Sequence, residues 1–241
     1  MPRTAIVGGG AAGIGHATAD ALARAGHRVV ITGRGADALD VAAAQLRKRT
    51  GADVGTLVQD MADPDLTRTP DADILVLNAG GPPPGRILDV TDTAWRDAVD
   101  LLLLGPLRLA RHVIERMADR GFGRIVFVTS TAVRQPQPDL ATSVVVRSAV
   151  TAAAKLLSRE HAGRGVTVNC VAPGATDTER RRQILAGRPG DADQRDLETI
   201  PANRAGQPAE IGAAVAFLAS DAASYVNGTV LTVDGGRTET I

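Results

Sequence analysis

Two features of this chain combine residue types and spacings that can do chemistry. The first is Gly8-Gly9-Gly10-Ala11-Ala12-Gly13-Ile14-Gly15, directly after the apolar run Thr4–Val7 and directly before a helical pattern. Residues without a Cβ let the backbone turn tightly and approach a pyrophosphate, and the helix behind them offers free N–H groups and a positive dipole end. Gly9, Gly13, Ile14 and Gly15 are therefore expected to hold a dinucleotide, with a merely structural turn as the alternative. The second is Arg34, just beyond a second apolar run that ends Ile31-Thr32-Gly33. A carboxylate at that strand end would take the ribose hydroxyls of NAD. None stands there, and a planar guanidinium suits the 2′-phosphate of NADP. NADP(H) is the expected cofactor, with NAD and a solvated Arg34 left open.

These residues need a scaffold, and the sequence alternates two kinds of segment. Apolar, β-branched runs read as buried strands at Thr4–Val7, Arg28–Thr32, Asp53–Val58, Asp73–Leu77, Arg124–Thr129, Val166–Val171 and Thr229–Val233. Alanine-rich helical patterns lie at about Ile14–Arg24, Asp37–Arg49, Thr93–Arg120, Thr142–Ala162 and Pro208–Ala219. That alternation means βαβ units with right-handed crossovers. The expected fold is α/β: a Rossmann-type doubly wound parallel sheet of about seven strands with helices on both faces. One dinucleotide-binding domain over residues 1–241 is expected, with a lid at about 176–205. Within that lid, Glu179 to Glu198 balances Arg180, Arg181, Arg182, Arg188 and Arg195 against Glu179, Asp191, Asp193, Asp196 and Glu198. It reads as a solvated, mobile cover, with a grip on an anionic substrate as the alternative. Leu101 to Leu104 reads as a buried helix face.

Taken in series, the motifs resemble the short-chain dehydrogenase/reductase family over about residues 3–236. The family's Gly-x-x-x-Gly-x-Gly falls on Gly9, Gly13 and Gly15. Its usual threonine before the first glycine is Gly8 here, a change that can loosen the turn. The resemblance implies that Asp60 and Met61 contact adenine and that Asn78, Ala79 and Gly80 shape the adenine-ribose side of the cleft. It further implies that Pro173, Gly174 and Thr178 meet the nicotinamide carboxamide. Asp234-Gly235-Gly236 closes the last strand. For Asp60, Asn78 and Asp234, strand-end turn chemistry is the plainer alternative.

The resemblance also exposes a departure. Family members reduce a carbonyl with a serine, a tyrosine and a lysine four residues after the tyrosine, helped by a helical asparagine. Ser130 stands at the serine position, Ser143 at the tyrosine, Arg147 at the lysine and Leu102 at the asparagine. The only tyrosine, Tyr225, lies before the last strand. The resemblance therefore implies Ser130, Ser143 and Arg147 as the catalytic residues. Ser143 and Arg147, i, i+4, share one helix face, but a serine hydroxyl is a far weaker acid than a phenol. Arg147 relays no proton, although it can hold a ribose, a phosphate or a developing oxyanion. Losing general acid catalysis, worth roughly 10²–10⁴-fold, slows hydride transfer without abolishing it. Residues 78–85 read Asn-Ala-Gly-Gly-Pro-Pro-Pro-Gly, as in a branch of the family that also tends to carry Ser and Arg at these two positions.

Composition narrows the partners. The charges cancel, 27 acidic against 27 basic residues, which argues against binding driven by charge to nucleic acid or an anionic membrane. Cys170 is the one cysteine, which suits a reducing cytoplasm, and it reads as core. No apolar run reaches the ~20 residues of a membrane span, and MPRTAIVGGG lacks signal-peptide features. His16, His27, His112 and His161 have no partners at ligand spacing, so no metal is expected. The expected partners are a small-molecule substrate and further copies of the chain, a tetramer or dimer built on the two longest helices. Three functions stay open. They are an NADP-dependent oxidoreductase on a carbonyl or alcohol, a non-redox isomerase, dehydratase, cyclase or lyase, and a cofactor-binding protein without turnover.

Overall fold

Side chains alternate along a strand, and in this chain both alternating sets are apolar. In the computed structural model, which describes residues 2–186 and 190–240, that pattern splits each inner strand between two cores. Ala5 and Val7 of β1 (Thr4–Gly8) face one side with Val29 and Ile31 of β2 (Arg28–Gly33), while Ile6 and Val30 face the other. The remaining strands are β3 (Val54–Val58), β4 (Ile74–Leu77), β5 (Gly123–Val128), β6 (Val166–Pro173) and β7 (Val230–Val233). All pair in parallel in one sheet of order β3-β2-β1-β4-β5-β6-β7.

Helices cover both faces, as a parallel sheet requires. The first core is closed by α1 (Gly13–Arg24), α2 (Ala36–Thr50) and α8 (Pro208–Ala219), through Leu22, Leu39, Leu46, Ile211 and Val215. The second is closed by α4 (Gly105–Asp119) and α5 (Ala141–His161), through Leu109, Val113, Met117 and Val150. Cys170 is buried in this second core, and burial pushes its thiol up to about 12. No helix among the described residues is long and apolar enough to cross a membrane.

The expected architecture is present, with three local corrections. The helix expected over Thr93–Arg120 is α3 (Asp92–Val99) and α4 joined by a π-helical stretch, Asp100–Leu104. Only Leu102 of the four leucines there is buried, and Leu104 is exposed. Four consecutive helical residues point around the whole helix, so one core buries only part of the run. A Cβ at Gly105 would sit 1.7 Å from the Met61 carbonyl oxygen, so the helix passes against the loop after β3 with no room for a side chain. The second correction concerns Glu179 to Glu198, read as a loop. It contains α6 (Glu179–Ala186) and α7 (Ala192–Glu198), and Arg188 lies outside the described residues. Charged sequence without an apolar period hides a helix, but Arg181 binds Asp193 and Asp196 across the two, and Arg237 reaches Asp196 at 2.7 Å. The third is small: strand ends shift by one or two residues, so that β3, β4 and β7 begin at Val54, Ile74 and Val230 rather than at Asp53, Asp73 and Thr229.

Candidate active site

In a sheet of this order, the chain leaves β1 toward one edge and β4 toward the other. Loops therefore part at the carboxyl ends of these strands and leave a crevice. Asn78, first after β4, crosses the split: its Nδ2 donates to Gly8 O at 3.0 Å. Gly8 itself is closely surrounded. Asn78 and Met61 close on it so tightly that a Cβ would come within 2.6 Å of Asn78 O and 2.7 Å of Met61 Cε.

The glycine turn delivers α1 to this crevice with its N-terminus open. Ala12 caps it without a side-chain bond, and no acid stands in the first turn. The first N–H groups thus have no side-chain acceptor competing with an incoming anion. A Cβ at Gly15 would lie 2.2 Å from Gly9 O, which shows how closely the helix start folds back on the turn. A backbone cradle of this kind fits a pyrophosphate.

A cavity of about 390 Å³ opens from the cradle, within the usual size for small-molecule sites. Gly9, Gly13, Ile14, Asn78, Ala79 and Gly80 line one end; Pro173, Gly174 and Thr178 line a side; Ser130, Ser143 and Arg147 line the far end. Sequence separation thus collapses into one pocket for these twelve residues. Gly15 is buried behind the turn. Arg34, Asp60 and Met61 stand outside this cavity, Arg34 just past the end of β2 and the other two beyond β3. Arg34 is exposed and has no ion pair among the described residues. Asp60 is exposed too, and its Oδ1 accepts from Ala62 N at 2.9 Å, which is strand-end turn chemistry.

At the far end, local structure fixes each group. Ser130 follows β5 and caps the short turn after it, its Oγ accepting from Ala132 N at 3.2 Å. Ser143 and Arg147 share a face of α5, as their spacing requires. Arg147 Nε donates to Ser143 Oγ at 3.2 Å, and Nη1 donates to Val128 O at the end of β5. Leu102, at the position where the resemblance implies an asparagine, is buried in an apolar cluster with Ala98 and Val146. The Arg147 guanidinium is pushed down to about 10 by loss of water, and further by the Arg180 charge. It remains a cation at neutral pH. Tyr225 is fully exposed and lies in a separate depression with Phe122 and Arg124.

Sequence reasoning did not single out Arg180 among the lid arginines, and did not name Gln137, as cavity residues. Arg180 sits in α6, and its Nη2 donates to Pro82 O across the cavity mouth while the guanidinium lies over Gly81. Three adjacent arginines carried no signal for which one faces inward. The segment bearing it leaves and rejoins the body at one point, where Thr176 pairs with Gly206 and Asp177 N donates to Gly206 O at 2.8 Å.

Comparison with known proteins places these features in company. Residues 9–238 match the family model described as Enoyl-(Acyl carrier protein) reductase. The chain is 36% identical over 244 residues to a cis-4-hydroxycyclohexanecarboxylate dehydrogenase of Sinomonas cyclohexanicum, covering 98% of this chain and 96% of the relative. It is 33% identical over 244 residues to the 3-oxoacyl-[acyl-carrier-protein] reductase MabA of Mycobacterium avium, covering 98% and 90%. Among solved structures it is similar to YwfH, an NADPH dependent reductase involved in bacilysin biosynthesis. That match has a TM-score of 0.93 and 27% identity, with both chains covered completely.

Proposed function

The chain belongs to the short-chain dehydrogenase/reductase family of nicotinamide-dependent oxidoreductases, and on that premise we propose that it uses NADP(H) to interconvert a small-molecule carbonyl and alcohol. The observation that carries the reading is the single cavity running from the uncapped α1 N-terminus to the Ser130, Ser143 and Arg147 group. Relatives named for reducing a 3-oxoacyl group and oxidising a hydroxycyclohexanecarboxylate support the same reaction type.

The residues divide the work. Gly9, Gly13, Ile14 and Gly15 would hold the pyrophosphate through backbone, and Asn78, Ala79 and Gly80 would bound the sugar beside it. Pro173, Gly174 and Thr178 would meet the carboxamide. Arg34, exposed at the β2 end, would pair with the 2′-phosphate, and the NADPH named for a structural neighbour supports that choice over NAD. Asp60 and Met61 would flank adenine. When bound, NADP(H) supplies or accepts the hydride at the carbonyl carbon.

Ser130 and Ser143 would hydrogen-bond the substrate oxygen. Arg147, cationic and already joined to Ser143 Oγ, stabilises the negative charge that develops there during reduction. As hydride adds to carbon, the C=O π pair moves to oxygen, and that oxygen then takes its proton from water. The site is atypical in having no phenol, so electrostatic stabilisation stands in for general acid catalysis. The segment 176–205 would act as a lid, and a homotetramer or dimer would cover the exposed Leu104 and Val145. The partners so proposed are a small molecule and further copies of the chain, in a cytoplasmic setting.

One observation favours a second reading. With Tyr225 outside the cavity, the usual proton donor is missing, so the scaffold could serve a non-redox isomerase, dehydratase, cyclase or lyase. A screen of carbonyl compounds with NADPH separates the two. Product formed one-for-one with NADPH loss, and weakened by Arg147→Ala, supports the redox reading. Product formed without NADPH loss overturns it.

A further inference from the structure

Three consecutive arginines begin α6, and the structure treats them differently. Arg181 is held by Asp193 and Asp196, and Arg182 by Asp177 at 3.0 Å and Glu179 at 3.1 Å. Arg180 turns into the cavity and meets only a backbone carbonyl, Pro82 O, among the described residues. Arg147 at the far end of the cavity is likewise bonded to a carbonyl and a hydroxyl, Val128 O and Ser143 Oγ. The two acids that line the cavity are engaged elsewhere: Glu179 with Arg182, and Asp196 with Arg181 and Arg237.

This chain has no net charge, yet two guanidinium groups converge on one pocket with no carboxylate on either among the described residues. They are close enough for the Arg180 charge to depress Arg147, while loss of water depresses Arg180. Charged side chains withdrawn from water are normally paired, so the missing anion belongs to a ligand. Each guanidinium has five donors and spends only one or two of them on the contacts above, which leaves room for a bidentate carboxylate.

We infer that the substrate is a carboxylic acid, an oxo acid or hydroxy acid, whose carboxylate is taken by Arg180 at the cavity mouth while its carbonyl oxygen faces Ser130, Ser143 and Arg147. This rests on the oxidoreductase reading and adds the substrate class. Binding across the mouth would also replace the Arg180–Pro82 contact, so the substrate itself would join α6 to the loop after β4.

The test uses two unreactive probes of nearly the same shape, one anionic and one neutral: cyclohexanecarboxylate and cyclohexanecarboxamide, titrated by calorimetry into the protein with and without saturating NADP⁺. The carboxylate is expected to bind at least ~10-fold tighter, about 1.4 kcal/mol. Arg180→Gln should erase the preference, Arg180→Lys should keep part of it, and Arg182→Gln should leave it intact. Equal affinity for the two probes overturns the inference, as does failure of both to bind at ~10 mM, a free energy near −3 kcal/mol. If Arg180→Gln instead weakens NADP⁺ binding about tenfold and spares the probe preference, the arginine holds a cofactor phosphate and the inference is wrong. Absence of NADP⁺ binding to the wild type would sink the oxidoreductase reading by itself, and the cofactor-free titration would still score the carboxylate preference.

Discussion

At one end of the cleft the protein presents backbone; at the other it presents side chains. The glycine turn and the open N-terminus of α1 would meet a ligand with N–H groups whose positions follow from the fold, and a single Cβ at Gly15 would strike Gly9 O. At the far end, Ser130, Ser143 and Arg147 hang from β5 and α5, and their identities can change without moving the chain. Arg147 still reaches Val128 O and Ser143 Oγ, so the frame of the reactive end persists whatever chemistry its side chains run. A backbone site is hard to alter by substitution and a side-chain site is easy. That asymmetry explains how one cofactor cradle can serve several chemistries.

The sharpest way to break this comparison is to place a side chain in the backbone end. Gly15→Val should reduce NADPH affinity at least ~100-fold, read by fluorescence titration, because overpacking at the turn costs roughly 1–3 kcal/mol or more and displaces the phosphate donors. Loss of affinity of less than threefold would mean that the turn does not hold the cofactor. At the other end, Arg147→Ala should lower kcat/KM about 100-fold, in the range found for removing an oxyanion donor. NADPH affinity should change far less. If affinity collapses and kcat is spared, Arg147 belongs with the cofactor and the two ends are not separable.

Arg34→Ala should weaken NADPH about tenfold and leave NADH unchanged, since a charge-assisted hydrogen bond is worth roughly 1.5–3 kcal/mol. Equal losses for both would remove its 2′-phosphate role. The smallest effect concerns pH. The Arg147 cation is needed, and its guanidinium titrates at about 10, so kcat/KM should fall as pH rises through that value. The fall is measured from a pH–rate profile, and its persistence in Arg147→Ala would assign it to another group.

The two ends also differed in how legible they were. Strands, helices and the glycine turn could be read because each has its own period or its own backbone demand, and the sheet then carries the loops to one edge. The twelve residues sharing the cavity follow from that edge rule, although Arg34, Asp60 and Met61 lie outside it. What could not be read depended on packing between distant segments. The π-helical stretch at Asp100–Leu104 keeps an ordinary helical pattern in sequence, and the close approach of Gly105 to Met61 that follows it joins segments far apart in the chain. Helices α6 and α7 lack an apolar face; Arg181 joins them through Asp193 and Asp196, and Arg237 adds a further ion pair to Asp196 of α7. For the same reason nothing distinguished Arg180 from Arg181 and Arg182 until their partners were visible.

The most direct test of the account is a fluorescence titration of the wild-type protein with NADPH and with NADH. Saturable binding of NADPH, about tenfold tighter than NADH, is the result expected if the open α1 N-terminus and Arg34 form a dinucleotide site. No binding of either below ~1 mM, a free energy of about −4 kcal/mol, would contradict it and leave the cavity to non-redox chemistry.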